Sequence, residues 1–251
     1  MAGSQLETRG QHSRESELPD DLRLTLIVPS HRCSVRHMPL QIVQVGDPGL
    51  RRKCRALSPK EICSLEIQDF LKELRHVQRH PTGVGFAAPQ VGRSLRIIAL
   101  EMGPAAIASI PKPILDEQMR EPFPFHVLIN PSLTVEDPTV TEWFEGCESI
   151  PNIMAGVPRS LGVRLDALDE HAEPLTTHAR GWYARVLQHE VDHLDGILFT
   201  DRMLPWSLMT METRQRLWPN TRVSDVRAAM GISVGTAETA ILYSSGRTLV
   251  G

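Results

Sequence analysis

From Ser58 onward the apolar positions Ile62, Leu65, Phe70, Leu71, Leu74 and Val77 fall mostly three to four residues apart. That spacing predicts an amphipathic helix of about five turns ending near Arg79. Ser58-Pro59-Lys60-Glu61 supplies its start, a capping box with proline at the first helical position. Short apolar runs follow at 95–100, 127–129, 139–144 and 163–167, the last alternating as Val163, Leu165, Ala167, and they read as strands separated by prolines. Strands that succeed one another without helical patterns between them favour antiparallel pairing, so the expected class is α+β. A second helix is predicted over 181–194, where Trp182, Val186, His189 and His193 share one face. Antiparallel β-sheets packed around this central helix are the expected architecture. Beyond Met203 the pattern predicts amphipathic pieces at about 208–217 and 223–230, and from about Gly231 it predicts no element.

Composition narrows the partners. The 251 residues are 41% hydrophobic and 23% charged, enough to bury a sizeable core. Lys and Arg number 27 against 30 Asp and Glu, so no net basic field favours direct nucleic-acid binding. The longest apolar runs, 24–29 and 95–100, fall far short of the roughly 20 residues of a membrane span. Cys33, Cys54, Cys63 and Cys147 show no regular spacing and give no disulfide framework. Residues 1–37 mix five acidic with five basic residues and lack the basic start and prompt apolar stretch of a secretory signal, so they read as a flexible leader. Their arginines suit an organellar transit segment; their acids do not.

His189-Glu190-Val191-Asp192-His193 carries the chemistry. Helical residues four apart point the same way, so two imidazoles can converge on one metal while the Glu beside the first handles a proton. The plain alternative, two histidines on an exposed helix face, fits the apolar flanks poorly. A catalytic metal needs a third protein ligand and an open position. Position 199 is Phe, which excludes the metallopeptidase type with a third His six residues on. Glu212 or Glu238 would have to serve in another type, and neither stands in a supporting pattern. Upstream, Glu145-Gly146-Cys147-Glu148-Ser149 offers a thiolate that could close a Cys/His/His set, although a lone Cys is more often a small buried hydrophobe. Gly83-Val84-Gly85-Phe86-Ala87-Ala88-Pro89-Gln90 matches G-x-G-x-x-A loosely. It follows a helix and meets Pro89 at once, so it reads as an extended loop that lets backbone approach a ligand, with Gln90 offering an amide donor, and not as a dinucleotide site.

Together the three segments, in this order, resemble the peptide deformylase family. The similarity runs over roughly 38–203 and takes in Gln44-Val45-Gly46-Asp47-Pro48-Gly49-Leu50-Arg51, Asn130-Pro131 and Pro158-Arg159. Glu121-Pro122-Phe123-Pro124 and a Glu after the Cys are similar to the mitochondrial members, which implies an organelle. The resemblance implies a catalytic domain over 38–205 with a C-terminal extension over 206–251. It implies that Cys147, His189 and His193 bind one divalent metal, Fe2+ foremost, with Zn2+, Co2+ or Ni2+ able to substitute. It implies removal of the formyl group from N-formyl-methionyl nascent peptides, releasing formate, with transient presence at the ribosome exit. A metal of this kind draws the pKa of bound water down toward about 7, and Glu190 would take the proton. Gln90 and the backbone N–H of Glu148 would stabilise the oxyanion. Val84, Gly85, Trp143, Trp182 and Val186 would receive the methionine side chain. Glu145 and Arg159 would pair behind the metal ligands to orient them.

This sequence departs from many bacterial members at two places: Glu148 replaces an aliphatic residue near the substrate, and Met154 replaces an Arg that holds the substrate chain. Arg185 interrupts the apolar face of the metal helix. A non-catalytic module gripping formylated N-termini, or a metallopeptidase cutting internal bonds, are the rival readings.

Overall fold

A computed structural model describes residues 40–78 and 84–233. The leader 1–37, Met38, the helix end at Arg79, Gly83 and residues 234–251 lie outside the described residues. Within them, no helix is long and apolar enough to cross a membrane.

The first helix departs from expectation. Two helices, α1 (Pro59–Ile62) and α2 (Leu65–Gln78), replace the single one. The capping box forms: Ser58 accepts from the Glu61 N–H while the Glu61 carboxylate accepts from the Ser58 N–H at 2.8 Å. Ser64 then breaks the run, because its hydroxyl donates to the Glu61 carbonyl at 2.6 Å and accepts from the Ile67 N–H at 3.4 Å. A serine hydroxyl that competes for backbone groups ends one helix and starts the next.

The strands number six where the sequence pattern indicates four, and two of them are much longer. β1 (Gly85–Ala87), within the stretch read as a loop, pairs antiparallel with β2 (Ile97–Met102). Two short helices, α3 (Pro104–Ile107) and α4 (Lys112–Gln118), follow. β3 (Phe123–Cys147) unites the strands expected at 127–129 and 139–144, and β4 (Ile150–Leu168) extends the one expected at 163–167. Register shifts occur in β3 between Ile129 and Ser132 and between Asp137 and Val140, around Pro131 and Pro138. A proline cannot donate to the ladder, but a bulge leaves one residue unpaired, so the strand bends there without ending. One six-stranded sheet results, in the order β1-β2-β3-β4-β5, where several sheets were expected. β5 (Pro174–Arg180) has too few apolar residues for periodicity to reveal, as suits the edge of this path. β6 (Met209–Thr210) pairs with β4.

β2 explains the site's rigidity. Ile98 and Leu100 pack into the cluster around α5 (Gly181–Leu194), with Ala184, Leu187, Val191 and Leu194. Ile97 and Ala99 point oppositely into the cluster of α2, with Phe70, Leu71 and Leu74. A strand covered on both faces needs a continuous apolar run, and Ile97-Ile98-Ala99-Leu100 is one.

The piece expected as one amphipathic segment at 208–217 divides into β6 and α6 (Met211–Leu217), with Thr210 accepting from the Thr213 N–H as its cap. α7 (Val223–Ala229) buries Val223 and Val226. A Cβ at Gly156 of β4 would lie 2.9 Å from the Val223 Cγ1, so Gly156 lets α7 sit directly on the strand. Arg227 reaches Glu142 of β3 at 2.5 Å, and Arg222 reaches Glu117 of α4 at 2.7 Å.

Candidate active site

α5 presents His189, Glu190 and His193 toward the end of β3. Gly181 begins the helix at φ 62°, and a Cβ there would lie 2.4 Å from the Gln118 carbonyl oxygen, so only glycine lets α5 start against the end of α4. Cys147 closes β3 and pairs with Ile150 across the turn at Glu148-Ser149. In the strand's alternation Trp143, Glu145 and Cys147 share a face, which brings all three to α5.

Cys147, His189 and His193 offer ligand atoms that all lie within 4.8 Å of one another. They are the group among the described residues that could hold a metal ion; Glu212, in the first turn of α6, is not part of it. The Cys147 Sγ lies 3.3 Å from the His193 Nε2. The His189 Nδ1 donates to the Glu145 Oε2 at 2.9 Å, which leaves its Nε2 for a ligand role. The Glu190 Oε2 is buried without a hydrogen-bond partner, an orphan acceptor beside the three converging donors. A thiolate, two imidazoles and a waiting carboxylate fit a divalent metal with an open coordination position.

The remaining predicted residues gather in one cavity of about 640 Å³. The Gln90 Oε1 accepts from the Ala87 N–H at 2.8 Å, and its Nε2 points to the Cys147 Sγ and the Ser149 Oγ, each at 3.4 Å. Val84, Glu148 and Val186 line the same space, and the rings of Trp143 and Trp182 stand 6.3 Å apart. Gly85 lines the cavity too, and a Cβ there would meet the Glu190 Oε1 at 2.3 Å. Its hydrogen makes room for the carboxylate.

Behind the ligands lies a buried ionic cluster. Arg159 donates to Glu145 through Nε at 2.6 Å and Nη2 at 2.9 Å, and to Asp192 through Nη1 at 2.8 Å. Arg202 adds two bonds of 2.7 Å to Asp192. Arg185, which the sequence presents as an interruption of an apolar face, donates to Glu145 at 2.6 Å and to the carbonyls of Val157 and Thr141 at 2.8 and 2.7 Å. It is 2% exposed, and its two terminal nitrogens find acceptors inside the protein while its Nε is left without one. Asp192, Arg202 and Ser149, and the part that Arg185 plays, escaped the sequence reading, since partners 10 to 59 residues apart leave no spacing signal.

Burial raises Glu190 to about 7, against the pull of His189 and Arg159. Burial also works to raise Glu145, but Arg159, Arg185 and the His189 bond outweigh it and hold this carboxyl well below the usual range. The arrangement thus holds one carboxylate firmly charged and places another where it can exchange a proton near neutrality.

In this mixed sheet-and-helix fold, α5 and the end of β3 bring Cys147, His189 and His193 together as a group that could hold a metal ion. The polypeptide deformylase family model matches residues 39–208. The chain belongs to that family. It is 42% identical over 171 residues to the chloroplastic peptide deformylase 1A of Solanum lycopersicum, covering 68% of this chain and 62% of that protein. It is 39% identical over 162 residues to the mitochondrial peptide deformylase of Homo sapiens, covering 64% and 67%. The chain therefore spans less than two thirds of the tomato relative's length. The structure of the class I type b peptide deformylase of Acinetobacter baumannii, solved with Met-Ala-Ser bound, superposes with a TM-score of 0.58 at 28% identity, over 66% of this chain and 99% of that one.

Proposed function

We propose that this chain hydrolyses the formamide of N-formyl-methionyl peptides, with one divalent metal held by Cys147, His189 and His193. The observation that carries it is the convergence of these three donors with the orphan Glu190 carboxylate and the Gln90 amide in one cavity. A bound divalent cation supplies Lewis acidity toward the formyl oxygen and toward water.

The chain's own groups do the rest. Glu190 takes a proton from the attacking water as the water oxygen bonds to the formyl carbon, and returns it to the amine as the C–N bond breaks, leaving formate and a free N-terminus. Its elevated pKa suits both transfers. Gln90, locked by the Ala87 N–H, aims its Nε2 at the forming oxyanion, and the Glu148 N–H is the second donor. Trp143, Trp182, Val84, Gly85 and Val186 give the methionine side chain an apolar recess. Glu145, pinned by Arg159 and Arg185, fixes the tautomer and direction of His189.

Fe2+ is the proposed native metal, with Zn2+, Co2+ or Ni2+ as substitutes, since thiolate and imidazole accept several ions. The proposed organisation is a leader over 1–37, a catalytic domain over 38–205 and an extension over 206–251. The family similarity to chloroplastic and mitochondrial proteins supports an organelle, mitochondrial by the motifs around Phe123 and Cys147, with substrates met as nascent chains at the ribosome.

The test is formate release from a formyl-Met tripeptide by anaerobically purified, Fe2+-loaded protein, beside Glu190→Ala and an unformylated peptide. Release by the parent alone, with metal retained in the variant, is the expected result. Turnover by Glu190→Ala at a rate near the parent's removes Glu190 from its role; no release by the metal-loaded parent removes the function.

A further inference from the structure

Among the described residues the cavity carries two arginines that form no ion pair. Of the arginines on its walls, Arg185 is bound to Glu145 and Arg222 to Glu117, while Arg227 takes up Glu142. Arg120 and Arg214 have no carboxylate within ion-pairing distance among the described residues. Both are held by aromatic rings: the Arg120 guanidinium lies 3.9 Å from the centre of Trp182, and that of Arg214 lies 4.5 Å from the centre of Phe144.

Their hydrogen bonding is incomplete as well. The Arg214 Nη2 donates to the Thr221 carbonyl at 2.9 Å, but its Nη1 is buried without an acceptor. The Arg120 Nε and the Trp182 Nε1 are likewise buried donors without acceptors, against a single orphan acceptor on that wall, the Gln118 Oε1. Guanidinium groups that line a cavity, stack on aromatic rings and lack a carboxylate partner among the described residues suit an anionic oxygen ligand. Burial lowers Arg120 to about 10, so it stays charged at neutral pH.

The position of these groups names the ligand. Both arginines line the same cavity as Cys147, His189 and Glu190. Arg120 follows α4, and Arg214 lies in α6, beyond the end of the family match at residue 208. The floor of the cavity is thus the shared catalytic sheet, while a second wall comes from the chain's own C-terminal segment. A peptide whose first residue reaches the metal ligands has its following residues between these walls.

We propose that Arg120 and Arg214 form an anion subsite that selects formylated peptides bearing an acidic side chain downstream of the methionine. The inference rests on the deformylase reading above for its substrate, and its test separates the two. Two pairs of peptides, formyl-Met-Glu-Ser with formyl-Met-Gln-Ser and formyl-Met-Ala-Glu with formyl-Met-Ala-Gln, are compared by kcat/KM with the parent, Arg120→Met and Arg214→Met. In at least one pair the parent favours Glu about five- to tenfold at low salt, less at high salt, and each variant moves that ratio toward one. Because each variant is compared with itself, partial loss of fold cancels from the ratio. Tryptophan fluorescence titration with the same peptides lacking the formyl group reads the subsite without turnover. A Glu-to-Gln ratio near one in the parent, in turnover and in binding, overturns the subsite, as does a preference that survives in both variants. Selective binding lost in the variants, with no formate released from any peptide, upholds the subsite and defeats the deformylase reading alone.

Discussion

Gly85→Ala is a one-carbon test of how closely the catalytic carboxylate is fitted. The new Cβ would lie 2.3 Å from the Glu190 Oε1 and 2.8 Å from both its Cδ and Cγ, far inside van der Waals contact. Glu190 is 4% exposed and borders the cavity, so the strain falls on the end of its side chain, which can give way only by leaving its present position. Relief requires Glu190 to leave its rotamer, at about 0.5–1.5 kcal/mol, or β1 to shift, and overpacking of this sort destabilises by about 1–3 kcal/mol. Activity should suffer more than stability, because displacing a reacting group by about 1 Å costs on the order of 100-fold. The assay is kcat/KM for formate release by Gly85→Ala with metal content measured on the same sample, beside its urea unfolding midpoint. The expected outcome is full metal occupancy, a modest loss of stability and a fall of roughly 100-fold in kcat/KM. Activity within about threefold of the parent would refute the reasoning, since a carboxylate that can be displaced so far without effect is not held in a catalytic geometry.

Arg159→Leu strips two buried carboxylates, Glu145 and Asp192, of a shared partner and should destabilise the fold by about 3–5 kcal/mol in chemical denaturation. The same variant, loosening His189, should weaken metal affinity by about 10- to 100-fold in a chelator competition. Removing the metal from the parent with a chelator should lower the melting temperature and abolish formate release, both restored by Fe2+ or Zn2+; an unchanged melting temperature would count against a site formed by Cys147, His189 and His193. Gly181→Ala places a Cβ 2.4 Å from the Gln118 carbonyl oxygen at a φ of 62°, so it should lose stability on both counts, by about 1–3 kcal/mol, measurable by urea unfolding. Burial raises the Cys54 thiol from 9.0 to about 11, so the unfolded chain gives up this proton first as pH rises. Stability from this group is complete below pH 9.0 and lost between there and about 11, and in Cys54→Ala the alkaline decline of the unfolding midpoint should be shallower.

Local chemistry made part of this protein legible from its sequence. The capping box at Ser58 closes because its partners are three residues apart. Trp182, Val186, His189 and His193 share a face because a helix repeats every 3.6 residues, and that periodicity needs no knowledge of the rest of the chain. Where a distant or competing contact decides the outcome, the pattern is silent or misleads. Ser64 divides the first helix by capturing backbone groups that periodicity assigns to its continuation. Pro131 and Pro138 read as breaks, yet β4 supports the bends and β3 runs on through them. Arg185 reads as a flaw in an apolar stripe until Glu145, 40 residues away, meets it inside the protein. Cys147 is a lone cysteine in the sequence; the β3–β4 hairpin and α5 carry its sulfur to 3.3 Å from the His193 imidazole. Residue spacing along one element fixes which side chains travel together, but only the packed chain decides which buried charges meet an opposite charge, as Arg185 does, and which, like Arg120, stack on an aromatic ring instead.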